Sequence, residues 1–230
     1  MWDTLDVGYF MRHDASDIAW HARQLSRHVA KPAEGPVKPI VRARISPVGE
    51  GLQVLVFTPD QPDLFARICG HFDQSCFSIL DAKIHTTRTD WALDTFQIVT
   101  PVLPEHYREL LSMVESGLTQ TLDKQAPLPA AARGRVSRRV KSFPVTPRVT
   151  LKPDEKAQNW LLSISASDRI GLLYSIATVL ARHGIHLQLA KISTLGERVE
   201  DTFLISGTSL QQNKAQIEIE TELLAALQQS

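Results

Sequence analysis

Cysteine occurs only twice in the 230 residues, at Cys69 and Cys76. Two thiols in one segment make neither a disulfide framework nor a metal-ligand spacing, and such sparing use of cysteine fits a reducing compartment. An excess of either charge is missing too. The 25 lysines and arginines balance 25 aspartates and glutamates, so nothing draws the chain to nucleic acid or to an anionic membrane. No apolar run approaches the roughly 18 residues of a membrane span, and the N-terminus has no signal-peptide pattern. The expectation is a cytoplasmic chain without membrane contact. Catalytic signatures are absent as well. There is no Gly-x-Ser-x-Gly elbow, no phosphate-binding glycine loop, no zinc spacing, and no nucleotidyl-transfer Gly-Ser followed by Asp-x-Asp. His85, His106 and His183 share no neighbourhood with paired carboxylates. The reading is therefore a chain with no catalytic residue, no metal site and no cofactor of its own.

What is present is a repeat. Ala190-Lys191-Ile192-Ser193-Thr194, followed by Asp201-Thr202-Phe203, is matched earlier by Ala82-Lys83-Ile84-His85-Thr86 and Asp94-Thr95-Phe96. Each copy reads as two strands and a turn, so the chain holds two copies of one unit. With 43% apolar residues, 230 positions suffice for two modest cores.

The first 31 residues read as helical, with Ser16 a candidate cap for a helix that Pro32 stops. Tyr9, Phe10 and Trp20 are too large and apolar for so short a segment to bury alone. They are expected to pack on the next domain or on one absent from this chain. The doublet His13-Asp14 reads as a loop between two helices, because the distant His and Asp of a metal-ligating set are missing. A Pro/Gly-rich stretch follows. Ile40 to Ile45 and Leu52 to Val56 then form a hairpin, and Pro62 opens a helix with Leu64, Phe65, Ile68 and Phe72 on one face. Phe77 to Thr86 and Trp91 to Val99 read as strands, and Pro104 opens another helix. Residues 126–148 carry four prolines, five arginines and Lys141 with no acidic residue, the composition of a linker. The order then repeats, ending on a helix through Ile219 and Leu223.

Two βαββα units with the helices on one face of a sheet give an α+β, ferredoxin-like fold. No residues remain in the second unit for the usual strand after the last helix. The strand preceding each unit is therefore expected to fill that edge by hairpin: Ile40–Ile45 beside Leu52–Val56, and Val149–Leu151 beside Trp160–Ile164. The domains expected are a short N-terminal helical segment (1–32), a first unit (33–128), and a basic linker with a second unit (129–230).

Binding chemistry points to the two strand-to-helix turns, Asp60 to Leu64 and Asp168 to Leu172. A helix start offers unpaired N–H groups to a carboxylate, and Asp60 or Asp168 just before it suits an ammonium group. Gly171 permits close backbone approach, whereas Asp63 stands at the equivalent place in the first turn. The second turn, with Asp168, Ile170, Gly171 and Leu172, therefore ranks above Asp60, Asp63 and Leu64. The plainer reading is that both aspartates only cap helices.

These residues resemble the ACT domain, a regulatory amino-acid-binding module. The tandem resembles the C-terminal end of the PII-protein uridylyltransferase/uridylyl-removing family. The resemblance is carried by Tyr9-Phe10-Met11-Arg12-His13, Ile18-Ala19-Trp20-His21, Thr58-Pro59-Asp60, Pro62-Asp63-Leu64-Phe65, Ile79-Leu80-Asp81-Ala82, Arg139 with Lys141, Phe143 and Pro144, and Ala190 to Thr202. It implies glutamine, or another small amino acid, as ligand. It also implies pairing of ACT units within or between chains, PII protein as a partner through catalytic domains that have no counterpart in these residues, and magnesium only for those domains. An asparagine common in the family after the first helix is replaced by Ser78 and His186, which makes His186 a further candidate. The chain alone is expected to be inactive. A free-standing ACT-repeat regulator and a ligand-free interaction module remain the alternatives.

Overall fold

The computed structural model describes residues 4–29, 38–61, 63–100, 107–124, 126–128, 145–154, 159–169, 171–195 and 198–228. Ile170 and most of the basic linker lie outside them. Two helices open the chain, α1 (Val7–Arg12) and α2 (Ala15–Val29). The Asp6 side chain caps α1 by accepting from Tyr9 N at 3.0 Å, and His13 closes it in extended backbone. The His13-Asp14 doublet is thus the break between two helices. Helix α2 begins at Ala15, one residue before the Ser16 expected as its cap.

The first unit contains β1 (Ile40–Ile45), β2 (Leu52–Pro59), α3 (Leu64–Gln74), β3 (Ser78–Lys83), β4 (Trp91–Val99) and α4 (Tyr107–Lys124). Its sheet is antiparallel in the order β1-β2-β4-β3. The second unit contains β5 (Arg148–Pro153), β6 (Trp160–Ser167), α5 (Leu172–Arg182), β7 (His186–Lys191), β8 (Thr194–Leu195), β9 (Arg198–Ser206) and α6 (Asn213–Gln228). Its order is β5-β6-β9-β7, with β8 added to β9. Both leading strands occupy the edges expected of them. Val41 pairs with Val56, and Val149 with Ile164, in antiparallel register. Helices α4 and α6 pack on the β1 and β5 sides of their sheets, leaving α3 and α5 free to meet each other.

The units associate through equivalent elements: α3 packs on α5, and β3 lies beside β7. Like meeting like is the signature of an approximate two-fold relation. One continuous core results, running from Phe72 and Phe96 in the first unit to Ile176 and Phe203 in the second.

The first sheet has apolar residues on its other face as well, so β2 is buried at every position from Leu52 to Thr58. Leu55, Phe57 and Leu93 form a second cluster there with Leu5, Tyr9, Trp20 and Leu25 from the helical segment. Tyr9 and Trp20 thus find the partner they need within the chain, whereas Phe10 stays 43% exposed. A polar network sits among them. Tyr9 Oη lies 2.7 Å from His21 Nδ1, and Asp17 is paired with Arg44 at 2.5 Å and accepts from Gln53 at 3.2 Å. Among the described residues no helix is long and apolar enough to cross a membrane.

Candidate functional site

The two strand-to-helix turns share their hydrogen bonding but not their backbone shape. Leu64 N donates to Gln61 O at 3.0 Å and Arg67 N to Asp63 O at 2.9 Å; in the second unit Leu172 N donates to Arg169 O at 3.2 Å and Ser175 N to Gly171 O at 2.9 Å. The residue preceding each helix differs. Gly171 has φ +75°, the left-handed region that glycine enters without cost, whereas Asp63 has φ −101°. Neither residue caps its helix by a side-chain hydrogen bond.

Because α3 packs on α5, each turn faces the other unit. The second turn opens on a cavity of about 480 Å³. Asp168, Arg169, Gly171 and Leu172 line it from one side, and Asp73 and Ser78 of the first unit from the other. At the equivalent place by the first turn only about 20 Å³ remains, between Asp60, Leu64 and Phe65 and the second unit's Leu180, Ala181 and His186. The two-fold relation explains the partition of the sequence candidates. Asp168, Gly171 and Leu172 share one cavity, while Asp60, Leu64 and His186 share the other.

Asp60 is held within its own unit. Its Oδ1 accepts from Gln61 N at 2.8 Å and its Oδ2 from Thr86 Oγ1 at 2.9 Å. Asp63 pairs with Arg67 at 2.6 Å, one helical turn along the same face, and lines neither cavity. Arg169 Nη2 donates to Ala226 O at 2.7 Å and to Ser175 Oγ at 3.3 Å.

Among the lining groups that escaped the turn-based reading are Asp73 on α3, Tyr174 on α5, and Asp201 on β9. Asp201 is 2% exposed, and its Oδ1 accepts from Ser193 N at 3.1 Å. Burial pushes its carboxyl up to about 6; the Ser193 N–H opposes the rise, and the charges of Asp168 and Glu200 add to it. Asp94, its counterpart in the repeat, accepts from His85 N at 3.2 Å and is raised well above the usual range by burial. The signal was available in the repeated Asp-Thr-Phe, where a charged residue recurs inside an apolar strand.

Among the described residues, no group of three His, Cys, Asp or Glu side chains is arranged to hold a metal ion. Residues 1–24 match the family described as the fifth domain of uridylyltransferase GlnD. The chain is 55% identical to bifunctional uridylyltransferase/uridylyl-removing enzymes of Cupriavidus pinatubonensis and Ralstonia nicotianae, over 99% of its own length and 26% of theirs. It is 53% identical, over the same shares, to that of Burkholderia thailandensis. The chain thus spans about a quarter of the length of the curated relatives it matches, at 26%. Across 99% of its residues, at 55% identity, the chain thus corresponds to the C-terminal region of bifunctional uridylyltransferase/uridylyl-removing enzymes.

Proposed function

We propose that this chain is an amino-acid-sensing regulatory region, built of two paired ACT domains, that reports glutamine to the uridylyl-transferring and uridylyl-removing activities of a longer cytoplasmic enzyme acting on PII protein. The observation that carries the reading is the cavity of about 480 Å³ at the turn with left-handed Gly171. Several lines support glutamine-sized chemistry there. The volume falls within the range of small-molecule sites. Helix α5 runs for 11 residues, so its first turn presents N–H groups to a carboxylate, and the absence of a Cβ at Gly171 leaves that approach open. Asp168 supplies negative charge at the same mouth.

In this reading residues 1–32 join the paired units to the rest of the enzyme, 33–128 form the first unit, and 129–230 hold the linker and second unit. The chain itself contributes no catalytic group and needs no cofactor; magnesium belongs to the catalytic domains. The first turn serves structure only, a view favoured by the two hydrogen bonds that occupy Asp60 and by the gap of about 20 Å³ beside it.

Titration calorimetry tests the proposal. Glutamine should bind the chain once, Asp168→Ala should weaken that binding, and Gly171→Asp should abolish it through bulk and like charge. Asp60→Ala should bind as the parent does. Loss of binding in Asp60→Ala with retention in Gly171→Asp would assign the ligand to the other turn. No binding to the parent chain would leave the ligand-free interaction module.

A further inference from the structure

Asp201 differs from the other acidic groups of the cavity. It comes from the centre of a sheet rather than from a turn, it is 2% exposed, and it lines the cavity. Among the described residues its only hydrogen bond is the one Oδ1 accepts from Ser193 N, which leaves Oδ2 without a partner. A buried carboxylate with a spare oxygen is costly unless a cation or donor meets it. The lysine nearest in sequence, Lys191, is exposed on β7 and lines no part of the cavity. Arg169 does line it but donates to Ala226 O and Ser175 Oγ. The charge of the turn that acts on Asp201 is itself acidic, that of Asp168; Asp73 of α3 lines the same cavity and acts on Arg169. Glu200, its neighbour on β9, is occupied by Arg198 and Ser165.

We propose that Asp201 receives the α-ammonium group of the bound amino acid, and so makes the cavity select zwitterionic amino acids over acids or amides that lack the amine. The inference rests on reading this cavity as an amino-acid site. It assigns the ammonium to Oδ2 of Asp201, with Asp168 adding negative potential at the mouth, and leaves the first turn of α5 for the ligand's carboxylate. Asp94 provides the internal contrast: the same residue of the repeat, held by the same kind of backbone N–H, but walled into a gap of about 20 Å³ with no room for a ligand.

The test is calorimetry on the full chain with two probes, glutamine and 4-carbamoylbutanoate, which is glutamine without its amine. A charge-assisted hydrogen bond of this kind corresponds to roughly 10- to 100-fold in affinity. The parent chain should prefer glutamine by that factor. Asp201→Asn, which keeps an oxygen for Ser193 N–H, should lose the same factor for glutamine and bind both probes alike. Asp94→Asn should behave as the parent. If the parent binds both probes equally, the inference falls even where Asp201→Asn fails to fold. It falls equally if folded Asp201→Asn keeps the full preference for glutamine. A parent chain that binds neither probe overturns the amino-acid reading itself, a separate result from either of these.

Discussion

Gly70 of α3 lies directly beneath the ring of Tyr174 of α5: a Cβ on Gly70 would stand 2.8 Å from Tyr174 Cε2 and 3.1 Å from Cδ2. The ring is 2% exposed. This contact fixes how closely the two units approach, and Tyr174 lines the larger cavity as well. Alanine normally improves a helix interior by about 0.5–1 kcal/mol over glycine, but overpacking costs about 1–3 kcal/mol. Overpacking wins, so Gly70→Ala should lower stability and displace the helices. Adding Tyr174→Leu should recover part of the loss, a non-additivity that a double-mutant cycle on denaturation midpoints would measure. Additive effects would mean that the two residues do not limit the approach.

Arg12 ties the helical segment to both units at once. Its Nε donates to Gly8 O at 2.8 Å, and Nη1 donates to Ile84 O at 3.1 Å and Gln188 O at 3.4 Å. Arg12→Ala should therefore raise amide exchange at α1, around Ile84, and along β7 together. Arg12→Lys should restore little, because an ammonium group lacks the planar fork needed to span these carbonyls. Faster exchange confined to α1 would show that Arg12 does not couple the units.

Acid should release the helical segment first. Burial lowers His21 to about 3, and burial lowers His13 and His85 in the same direction. The docked state therefore resists a proton that a detached state takes up near 6.5, the ordinary value. Docking is at full strength above that value and weakens as pH falls from about 6.5 toward 3. Asp201 runs the other way. Its carboxyl, raised to about 6, makes the second unit gain stability as pH falls through that value toward the ordinary carboxylate range. Hydrogen exchange at pH 7 and pH 4.5 should show α2 losing protection ahead of β6 and β9, and His21→Gln should reduce the difference. Equal protection of α2 and β9 at the lower pH would refute this.

Cys76 follows the C-cap of α3 with φ +59°, where the second unit has Gly184 at φ +63°. A left-handed residue with a Cβ costs about 1 kcal/mol. Cys76→Gly should therefore raise the melting temperature slightly without altering the sheet, and Cys76→Val, β-branched, should lower it. A drop in melting temperature for the glycine variant would indicate that the thiol packs at the rim of the cavity it lines.

The order of elements was legible from local patterns. Hydrophobic periodicity, Pro62 at the start of α3 and the repeated Asp-Thr-Phe act within a few residues of where they stand. The leading edge strands were legible as short apolar runs just before each core strand, close enough to pair with it by hairpin. One further signal went unread. Leu55, Phe57 and Leu93 face the helical segment, while Ser163, Ser165 and Glu200 occupy the matching positions of the second repeat. That contrast alone tells which sheet carries a second layer. The two cavities were beyond sequence reasoning. Each combines the turn of one unit with the helix and following strand of the other, so Ser78 meets Asp168 and His186 meets Asp60. Their sizes depend on Gly70, Tyr174 and Phe65 packing across an interface between residues far apart along the chain. The difference between Gly171 and Asp63 ranked the second turn above the first, but the open volume beside it is decided by that packing.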